Sequence, residues 1–584
     1  MRFKPDPTAT PARVMTRLRA AVSTLALLHA SLVIAAPPAD MVFVNGAVYT
    51  VDAARSWATA LAVSAGQVTY VGDDATARGF IGPTTRVVDL AQRMLLPGFQ
   101  DSHAHPADAP NPATSLDLHG LTDRAQIFQR VQQYAKAHPK KPWIVGDGWD
   151  KVAFLPSGMP TRDMLDPLIS DRPVFLTDNS GHSAWVNSRA LAMAHISERT
   201  AEPTSGRIER DTRGKPSGVL HEDAAMELVS PLIPPTSAQD QREDLQVALA
   251  EMVRLGITAV EDAMATPAVV AAYEAMERSG QLKVRANLCL PFRPTDDDDA
   301  QLQQFIAQRA ALQGKRLSAT CVKIFLDGAY ASHTLVLLEP YSDEPRFGRG
   351  TLFVEQTRLN RLVARLDAAG FQIHMHTQGD GAVRAALDAF AAARVANGPR
   401  DSRHTLAHLC LVDPADVPRF RTLGVIANMT PLWSLGDVWE AQDAPRLFGP
   451  VRNEHVLPTR TLLDAGVVLA WGTDWPVTGV APLDGLETAI THRYPGGLDL
   501  AGKEDQAWNP AERVGLAEAI TAYTSAGAYL MHEEATRGSL SPGKAADFVV
   551  LERNLFDTPP LRIHSVRVDM TVIDGKVAYE RAHD

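Results

Sequence analysis

Apolar residues along most of the chain come in short runs that end in turn residues and alternate with stretches of helical periodicity. Short apolar runs of this kind are typical of strands buried on both faces of a parallel sheet. Eight of them lie roughly at 94–103, 256–262, 283–290, 320–327, 371–377, 404–410, 424–430 and 467–474. The alternation predicts an α/β fold built on a parallel barrel within residues 94–536.

The two ends of the chain show a different pattern, in which β-rich runs are joined by turns without intervening helices. Residues 41–93 contain several such runs, and similar runs return in residues 537–580. Because neither end has crossover helices, we expect both to pair into one composite β-sandwich domain with a structural role.

About 150 residues separate the first two predicted barrel strands, whereas loops in compact domains usually span only a few residues. Strand-like segments at 143–149 and 173–177 lie within this gap. The sequence therefore predicts an inserted subdomain at about 106–250, which leaves the barrel at its carboxyl face.

The N-terminal region has the pattern of a secretory signal peptide. Three arginines precede an apolar stretch at 20–36 that ends in small residues before Pro37. We expect residues 1–36 to be a signal peptide and the mature protein to start near Pro37, with no stable membrane span after cleavage. An uncleaved anchor is the alternative, although the stretch is shorter than the ~20 residues that span a bilayer comfortably.

Charge and cysteine content narrow the class of protein. The net charge is −11, and no basic stripe suggests nucleic acid as a partner. Cys289, Cys321 and Cys410 all lie in apolar, strand-like runs, so we expect buried thiols rather than a disulfide framework. Export without disulfides would indicate a bacterial periplasm. The sequence is compatible with a homodimer.

The segment 101–105 is the first candidate for chemistry, because it follows a buried apolar run and contains His103 and His105. Residues i and i+2 of a strand share a face, so both imidazoles would point the same way. Two converging histidines can bind one metal ion, although two histidines in a surface loop would give the same pattern.

Four other predicted strand ends each carry one group that can bind metal. Lys323 interrupts an apolar run, where a buried lysine is rare without a partner. His376 and His408 end two further runs, and Asp474 follows the last one. Core packing does not require groups that can bind metal at the ends of several strands. Their presence on several strands therefore favours a metal site.

These residues and their order resemble the amidohydrolase superfamily, and in particular amidohydrolase family 3, which includes N-substituted formamide deformylases. The resemblance spans about residues 41–580, and no proposed ligand position departs from it. The family-like stretches lie at 181–188, 323–328, 376–380, 472–477 and 538–547.

The resemblance implies a distorted (β/α)8 TIM barrel with two divalent metal ions, expected to be Zn²⁺. His103, His105 and Asp474 would bind one ion, and His376 and His408 the other. Lys323 would carry a carbamate derived from CO2 that bridges them.

The implied reaction is hydrolysis of a non-peptide C–N bond in a small amide, N-acyl or N-formyl compound. Metal binding lowers the pKa of water to about 7 and so provides hydroxide as the nucleophile. Asp474 would take the hydroxide proton and deliver it to the leaving nitrogen.

Substrate contacts are expected from loops over the barrel mouth. His182 and His333 lie on loops suited to orienting a carbonyl, whereas His374 and His404 are more typical of satisfied core histidines. Pockets are mostly apolar, so an aromatic wall is expected, for which the candidates are Trp149, Trp185, Trp433, Trp439 and Trp475.

Other functions remain open at the level of sequence. A deaminase or a cyclic amidase would use the same barrel and nucleophile. An inactive periplasmic binding protein would be indicated by lost ligands, but all six are present. A metal-free glycosidase would need paired carboxylates at the strand ends.

Overall fold

The computed structural model describes residues 37–582 apart from 112–114, 156–157, 204–205, 313, 436–442 and 500–502. The predicted signal peptide and Trp439 lie outside the described residues. Among the residues described, no helix is both long and apolar enough to cross a membrane.

The N-terminal region forms seven strands and one short α-helix before the barrel starts. They are β1 (Met41–Val44), β2 (Ala47–Tyr49), β3 (Trp57–Ala58), β4 (Ala60–Ser64), β5 (Gln67–Gly72), α1 (Asp74–Ala77), β6 (Arg86–Asp89) and β7 (Met94–Pro97). The barrel begins with β8 (Phe99–Ala104).

An inserted subdomain follows β8, as the length of the gap predicts. Its strands are β9 (Leu116–Asp117), β10 (Ile144–Trp149), β11 (Val174–Asp178), β12 (Ser183–Val186), β13 (Arg207–Arg210) and β14 (Pro216–His221). Its helices are α2 (Arg124–Ala137), α3 (Arg162–Leu165), α4 (Ser188–Met193) and α5 (Asp223–Met226). The six strands form one mixed sheet in the order β13-β14-β12-β11-β10-β9.

Seven further strands complete the barrel. They are β15 (Ile257–Asp262), β16 (Arg285–Pro291), β17 (Leu317–Phe325), β18 (Gln372–Thr377), β19 (Thr405–His408), β20 (Ile426–Met429) and β21 (Leu469–Trp471). The helices between or after them are α6 (Ala238–Arg254), α7 (Pro267–Arg278), α8 (Asp298–Ala311), α9 (Gln356–Ala368), α10 (Asp380–Asn397), α11 (Val417–Leu423), α12 (Ala444–Asn453), α13 (Thr459–Asp464), α14 (Pro482–Thr491), α15 (Leu516–Ala522) and α16 (Ser525–Leu530).

The eight barrel strands are parallel, in the order β21-β20-β19-β18-β17-β16-β15-β8. Polar side chains connect β8 to the other end of the sheet: the Ser102 hydroxyl donates to the Trp471 carbonyl in β21 at 2.7 Å, and the Asn428 amide in β20 donates to Ser102 Oγ at 2.9 Å. The predicted (β/α)8 barrel is therefore confirmed, in a nearly closed form.

The two chain ends share one sheet. The last strands, β22 (Phe548–Leu551), β23 (Val568–Ile573) and β24 (Lys576–Glu580), join β7, β2 and β3 in the order β24-β23-β22-β7-β2-β3. A second sheet, β5-β4-β1-β6, packs against it through a common apolar core in which Phe43 meets Phe548. This is the composite β-sandwich that the sequence predicts.

The predicted first barrel strand, 94–103, is in fact two strands in two different sheets. Strand β7 pairs with β22 in the sandwich, whereas β8 pairs with β15 in the barrel. The chain passes between the sheets at Gly98, where a Cβ atom would lie 2.2 Å from Thr258 Cγ2. An apolar run alone does not reveal this change of partner, since both strands are buried.

The expectation that all three cysteines are thiols is wrong for two of them. Cys289 and Cys321 face each other in the register of β16 and β17, and they form a disulfide with a Cα–Cα distance of 4.3 Å. Cys410 is a buried thiol. This disulfide removes the premise from which a periplasmic location was inferred. The pairing could not be predicted because it depends on the register of two strands, which the sequence spacing does not give.

Candidate metal centre

The six predicted ligands meet at the carboxyl ends of the barrel strands. They are His103 in β8, His105 just after it, Lys323 in β17, His376 in β18, His408 at the end of β19 and Asp474 after β21. The fold therefore brings together groups that are up to several hundred residues apart in the sequence.

Asp474 lies at the centre of the first half of the cluster. Its Oδ1 atom is 3.3 Å from His103 Nε2 and 3.4 Å from His105 Nε2. Lys323 Nζ is 3.3 Å from the same His103 nitrogen. These short distances place two imidazoles, a carboxylate and an amine around one small volume.

His376 and His408 form the second half of the cluster. Their ring centroids are 4.3 Å apart, and His408 Nδ1 is 3.8 Å from Asp474 Oδ2. His408 also lies 4.9 Å from His103 between ring centroids, so the two halves are in contact.

The donor atoms suit a divalent metal ion. One ligand atom from each of His103, His105 and Asp474 can be chosen so that all lie within 4.8 Å of one another. His105 Nδ1 is buried and has no hydrogen-bond partner in the described part of the chain. Mixed nitrogen and oxygen donors of this kind are typical ligands of Zn²⁺.

Burial keeps most histidines of the cluster neutral, which is the form that binds metal. The pKa values of His103, His376 and His408 lie well below the usual value, chiefly because of desolvation, with Lys323 adding to the effect. Burial also lowers the pKa of Lys323 to about 8, against the attraction of Asp474 and Glu261.

The backbone at two of the predicted ligands adopts a conformation that residues with a side chain rarely use. The φ angle is 78° at His408 and 55° at Asp474. Near them, a Cβ on Gly472 would lie 2.5 Å from the His103 backbone nitrogen. Such conformations cluster at functional sites, where the surrounding structure holds them in place.

A sequence model of the amidohydrolase family matches residues 86–579. The chain belongs to the amidohydrolase family. It is 30% identical over 553 residues to protein LONG AFTER FAR-RED 3 of Arabidopsis thaliana, and this alignment covers 93% of this chain and 92% of that protein. It is 28% identical over 556 residues to the N-substituted formamide deformylase of Arthrobacter pascens, with 93% and 98% covered.

Solved structures agree with this assignment. An uncharacterized metal-dependent hydrolase of Pyrococcus furiosus is similar to this amidohydrolase with a TM-score of 0.66 and 25% identity, over 89% of this chain and 99% of that one. The family and this neighbour support a hydrolase, and they confirm the family that the sequence motifs indicate.

The inserted sheet of this amidohydrolase contributes a charged pair beside the predicted ligands. His182 Nδ1 is 2.8 Å from Glu222 Oε2, and the His182 ring lies 5.1 Å from the His376 ring. Burial disfavours the charged form of His182. The charge and the hydrogen bond of Glu222 together are stronger than this effect, and they raise the pKa of the imidazole to about 9. Glu222 also accepts hydrogen bonds from Ser332 at 3.0 Å and Thr334 at 2.6 Å.

Glu222 is a residue that sequence reasoning missed. No local motif connects it to His182, which is 40 residues away. The two meet because β12 and β14 are antiparallel neighbours, in which Ser183 pairs with His221. No strand predicted from the sequence ends beside Glu222, so only the observed sheet reveals its role.

Other predicted substrate residues lie in different surroundings. His333 is 3.0 Å from Asp343 and stacks on Phe347, and these contacts lie outside the ligand cluster. Trp149 is buried in the core of the inserted sheet, where its indole N–H donates to the Leu176 carbonyl at 2.9 Å, so its contacts favour packing.

Trp185 is likewise fully buried in that core. By contrast, Trp433 stacks on His408 with ring centroids 4.9 Å apart. Trp475 adjoins the cluster, since its carbonyl accepts a hydrogen bond from the His105 backbone at 2.7 Å. These two remain candidates for an aromatic wall.

Asp101 is a second residue that sequence reasoning passed over, although it begins the His103 motif. Its buried carboxylate accepts hydrogen bonds from the backbone of Thr473 at 3.0 Å and from its hydroxyl at 2.6 Å. Because Thr473 precedes Asp474, Asp101 fixes the position of Asp474 relative to β8.

Proposed function

We propose that the protein hydrolyses a C–N bond other than a peptide bond, in a small amide, N-acyl or N-formyl compound. The observation that carries this proposal is the convergence of four imidazoles, a carboxylate and a buried lysine at the carboxyl face of the barrel. The similarity to an N-substituted formamide deformylase supports an N-formyl or N-acyl amine as the substrate class.

The residues present fit two divalent ions, which we propose to be Zn²⁺. His103, His105 and Asp474 would hold one ion, and His376 and His408 the other. When bound, such a pair activates water and polarises a carbonyl oxygen. Each ligand side chain is largely buried, which keeps the charges effective in a low local dielectric.

Lys323 is proposed to carry the bridging carbamate. Carbamate formation joins the neutral amine to CO2 and releases one proton, so it requires an amine that is not protonated. Burial supports this role, since a pKa of about 8 leaves a substantial neutral fraction near physiological pH. The short distance between Lys323 Nζ and His103 Nε2 supports a position of the amine among the proposed ligands.

Asp474 is proposed to move the proton. A carboxylate can accept the proton of the attacking water and deliver it to the nitrogen that departs. Asp474 is suited to this because both of its oxygens face the histidine cluster.

His182 is proposed to bind the substrate carbonyl. Its Nδ1 atom is engaged with Glu222, so its Nε2 atom is the donor that would face a substrate. A cationic donor suits an oxygen that gains negative charge during hydrolysis. His182→Ala is therefore expected to raise KM, or to change KM and kcat modestly together, and to do so more than His333→Ala.

Metal analysis combined with a substrate screen tests this function. Active enzyme is expected to contain about two divalent ions per chain, to lose activity on chelation and to regain it with Zn²⁺. The screen uses N-formyl and N-acyl amines and detects the released amine, with ammonia release as a separate readout for deamination. Protein that binds no metal, or that releases only ammonia, would contradict the proposal.

A further inference from the structure

A second layer of polar side chains lies directly beneath the proposed ligands, in the interior of the barrel. His374 is in β18, two residues before His376, and its side chain is fully buried. From sequence it is expected to be a satisfied core histidine. Its actual partners connect it to the metal centre.

Both ring nitrogens of His374 are engaged. Its Nδ1 atom is 2.8 Å from Glu261 Oε1, and its Nε2 atom is 3.0 Å from His103 Nδ1. The chain Glu261–His374–His103 therefore leads from the barrel interior to the nitrogen, His103 Nε2, that faces Asp474.

Glu261 is itself held in a fixed position. Its other oxygen accepts a hydrogen bond from the Asn287 amide at 2.8 Å. The side-chain oxygen of Asn287, Oδ1, accepts hydrogen bonds from Ser318 Oγ at 3.0 Å and from Thr320 Oγ1 at 2.9 Å. Three neighbouring strands, β15, β16 and β17, thus determine where the carboxylate lies.

The proton arrangement along this chain follows from the donor and acceptor roles of imidazole. A neutral histidine that binds metal through Nε2 carries its proton on Nδ1. His374 can accept that proton from His103 only through an unprotonated Nε2, so its own proton must be on Nδ1 and be donated to Glu261. One tautomer of each ring satisfies every contact.

We infer that Glu261 and His374 are positioning residues of the metal centre, which hold the His103 ring in the orientation and tautomer that present Nε2 to a divalent cation. This inference rests on the proposed metal-dependent function. Hydrogen bonds to the remote nitrogen of a ligand histidine are worth about 10- to 100-fold in metal affinity. Here the carboxylate acts through an intervening imidazole rather than directly.

Asn428 gives His103 a second acceptor, because its Oδ1 atom is 3.2 Å from His103 Nδ1. The Asn428 amide group is committed to Ser102 and to the Ala470 carbonyl, which orients its oxygen toward His103. Loss of His374 would therefore weaken the hold on His103 without removing it. The expected effect is partial loss of metal affinity.

The test compares His374→Phe and Glu261→Gln with His404→Phe as a matched control. His404 is also a buried strand histidine with a carboxylate partner, since its Nε2 atom is 3.3 Å from Asp367. It stacks on Phe390, away from the proposed ligands. All four proteins are purified metal-free, and Zn²⁺ affinity is measured by competition with a chromophoric chelator.

His374→Phe is expected to bind Zn²⁺ up to about 100-fold more weakly, and Glu261→Gln about 10-fold more weakly, at one of the two sites. The visible absorption bands of the Co²⁺-substituted proteins should shift in both variants and not in His404→Phe. If His374→Phe fails to fold, Glu261→Gln decides the question, because it preserves the shape of the side chain.

Zn²⁺ affinity within twofold of the wild type and an unchanged Co²⁺ spectrum, in Glu261→Gln and in folded His374→Phe, would overturn the inference. An equal loss of affinity in His404→Phe would also overturn it, since the effect would then reflect general destabilisation. A wild-type protein without measurable Zn²⁺ affinity would instead contradict the proposed function.

Discussion

Replacing Lys323 by methionine is expected to make the metal-free protein more stable while it abolishes metal bridging and activity. The Lys323 side chain is almost fully buried, and methionine fills a similar volume without a charge. The folded metal-free chain must keep an ammonium group in this position at neutral pH. The variant avoids the unfavourable free energy of burying this charge.

The pKa of Lys323 gives the magnitude. Its lowering from 10.5 to about 8 corresponds to about 3 kcal/mol in favour of the unfolded state at pH 7. The lost hydrogen bond to His103 offsets about 1 kcal/mol of the gain. The net gain of about 2 kcal/mol corresponds to an increase of about 2 °C in Tm for a chain of this length.

The sign of the pH dependence follows from proton binding. Between pH 8 and 10.5 the unfolded chain holds the lysine proton and the folded chain does not, so wild-type stability should rise with pH in this range. The variant gains most below pH 8. Its advantage decreases above pH 8 and should become a deficit of about 1 kcal/mol near pH 10.5, where only the lost hydrogen bond remains.

Scanning calorimetry of metal-free proteins from pH 7 to 10 measures this difference. Lys315→Met serves as control, because the Lys315 side chain is 77% exposed and should show no such pH-dependent gain. A Lys323→Met protein that melts below the wild type at pH 7, or whose gain does not decrease with pH, would refute the reasoning.

Three further predictions concern chemistry and export. Asp474→Asn should lower kcat by about 10²- to 10⁴-fold, because an amide cannot accept the proton; near wild-type turnover with full metal content would remove Asp474 from the mechanism. Lys323→Ala should lose bound metal and activity, and a short carboxylic acid should restore part of both; full metal content and turnover would make the lysine an ordinary structural residue. Export should be followed by cleavage near Ala35 or Ala36, and N-terminal sequencing should find a start close to Pro37, whereas exported protein that begins at Met1 or Met15 would contradict cleavage.

The barrel and its six proposed ligands were predictable because each depends on local sequence. An apolar run determines a buried strand, and the residue after it lies at the carboxyl edge whatever the neighbouring strands are. His103, His376 and His408 could therefore be placed at one face of the barrel without knowledge of their distances.

Glu222 and Glu261 could not be found in this way, because their roles depend on partners far along the chain. Glu261 lies within a predicted strand, where a single carboxylate gives no indication of a contact with His374. The disulfide was missed for the same reason, since Cys289 and Cys321 meet only through the register of two strands.

The sheet shared by the chain ends also determines when the protein can complete its folding during synthesis. Strand β7 needs β22 as a neighbour, and β22 is made about 450 residues later, which takes about 20 to 90 s at 5–20 residues per second. During this interval the edge of β7 is unpaired and can associate with other chains. A nascent chain that stops before Phe548 would retain this edge permanently, even if every proposed metal ligand had already been made.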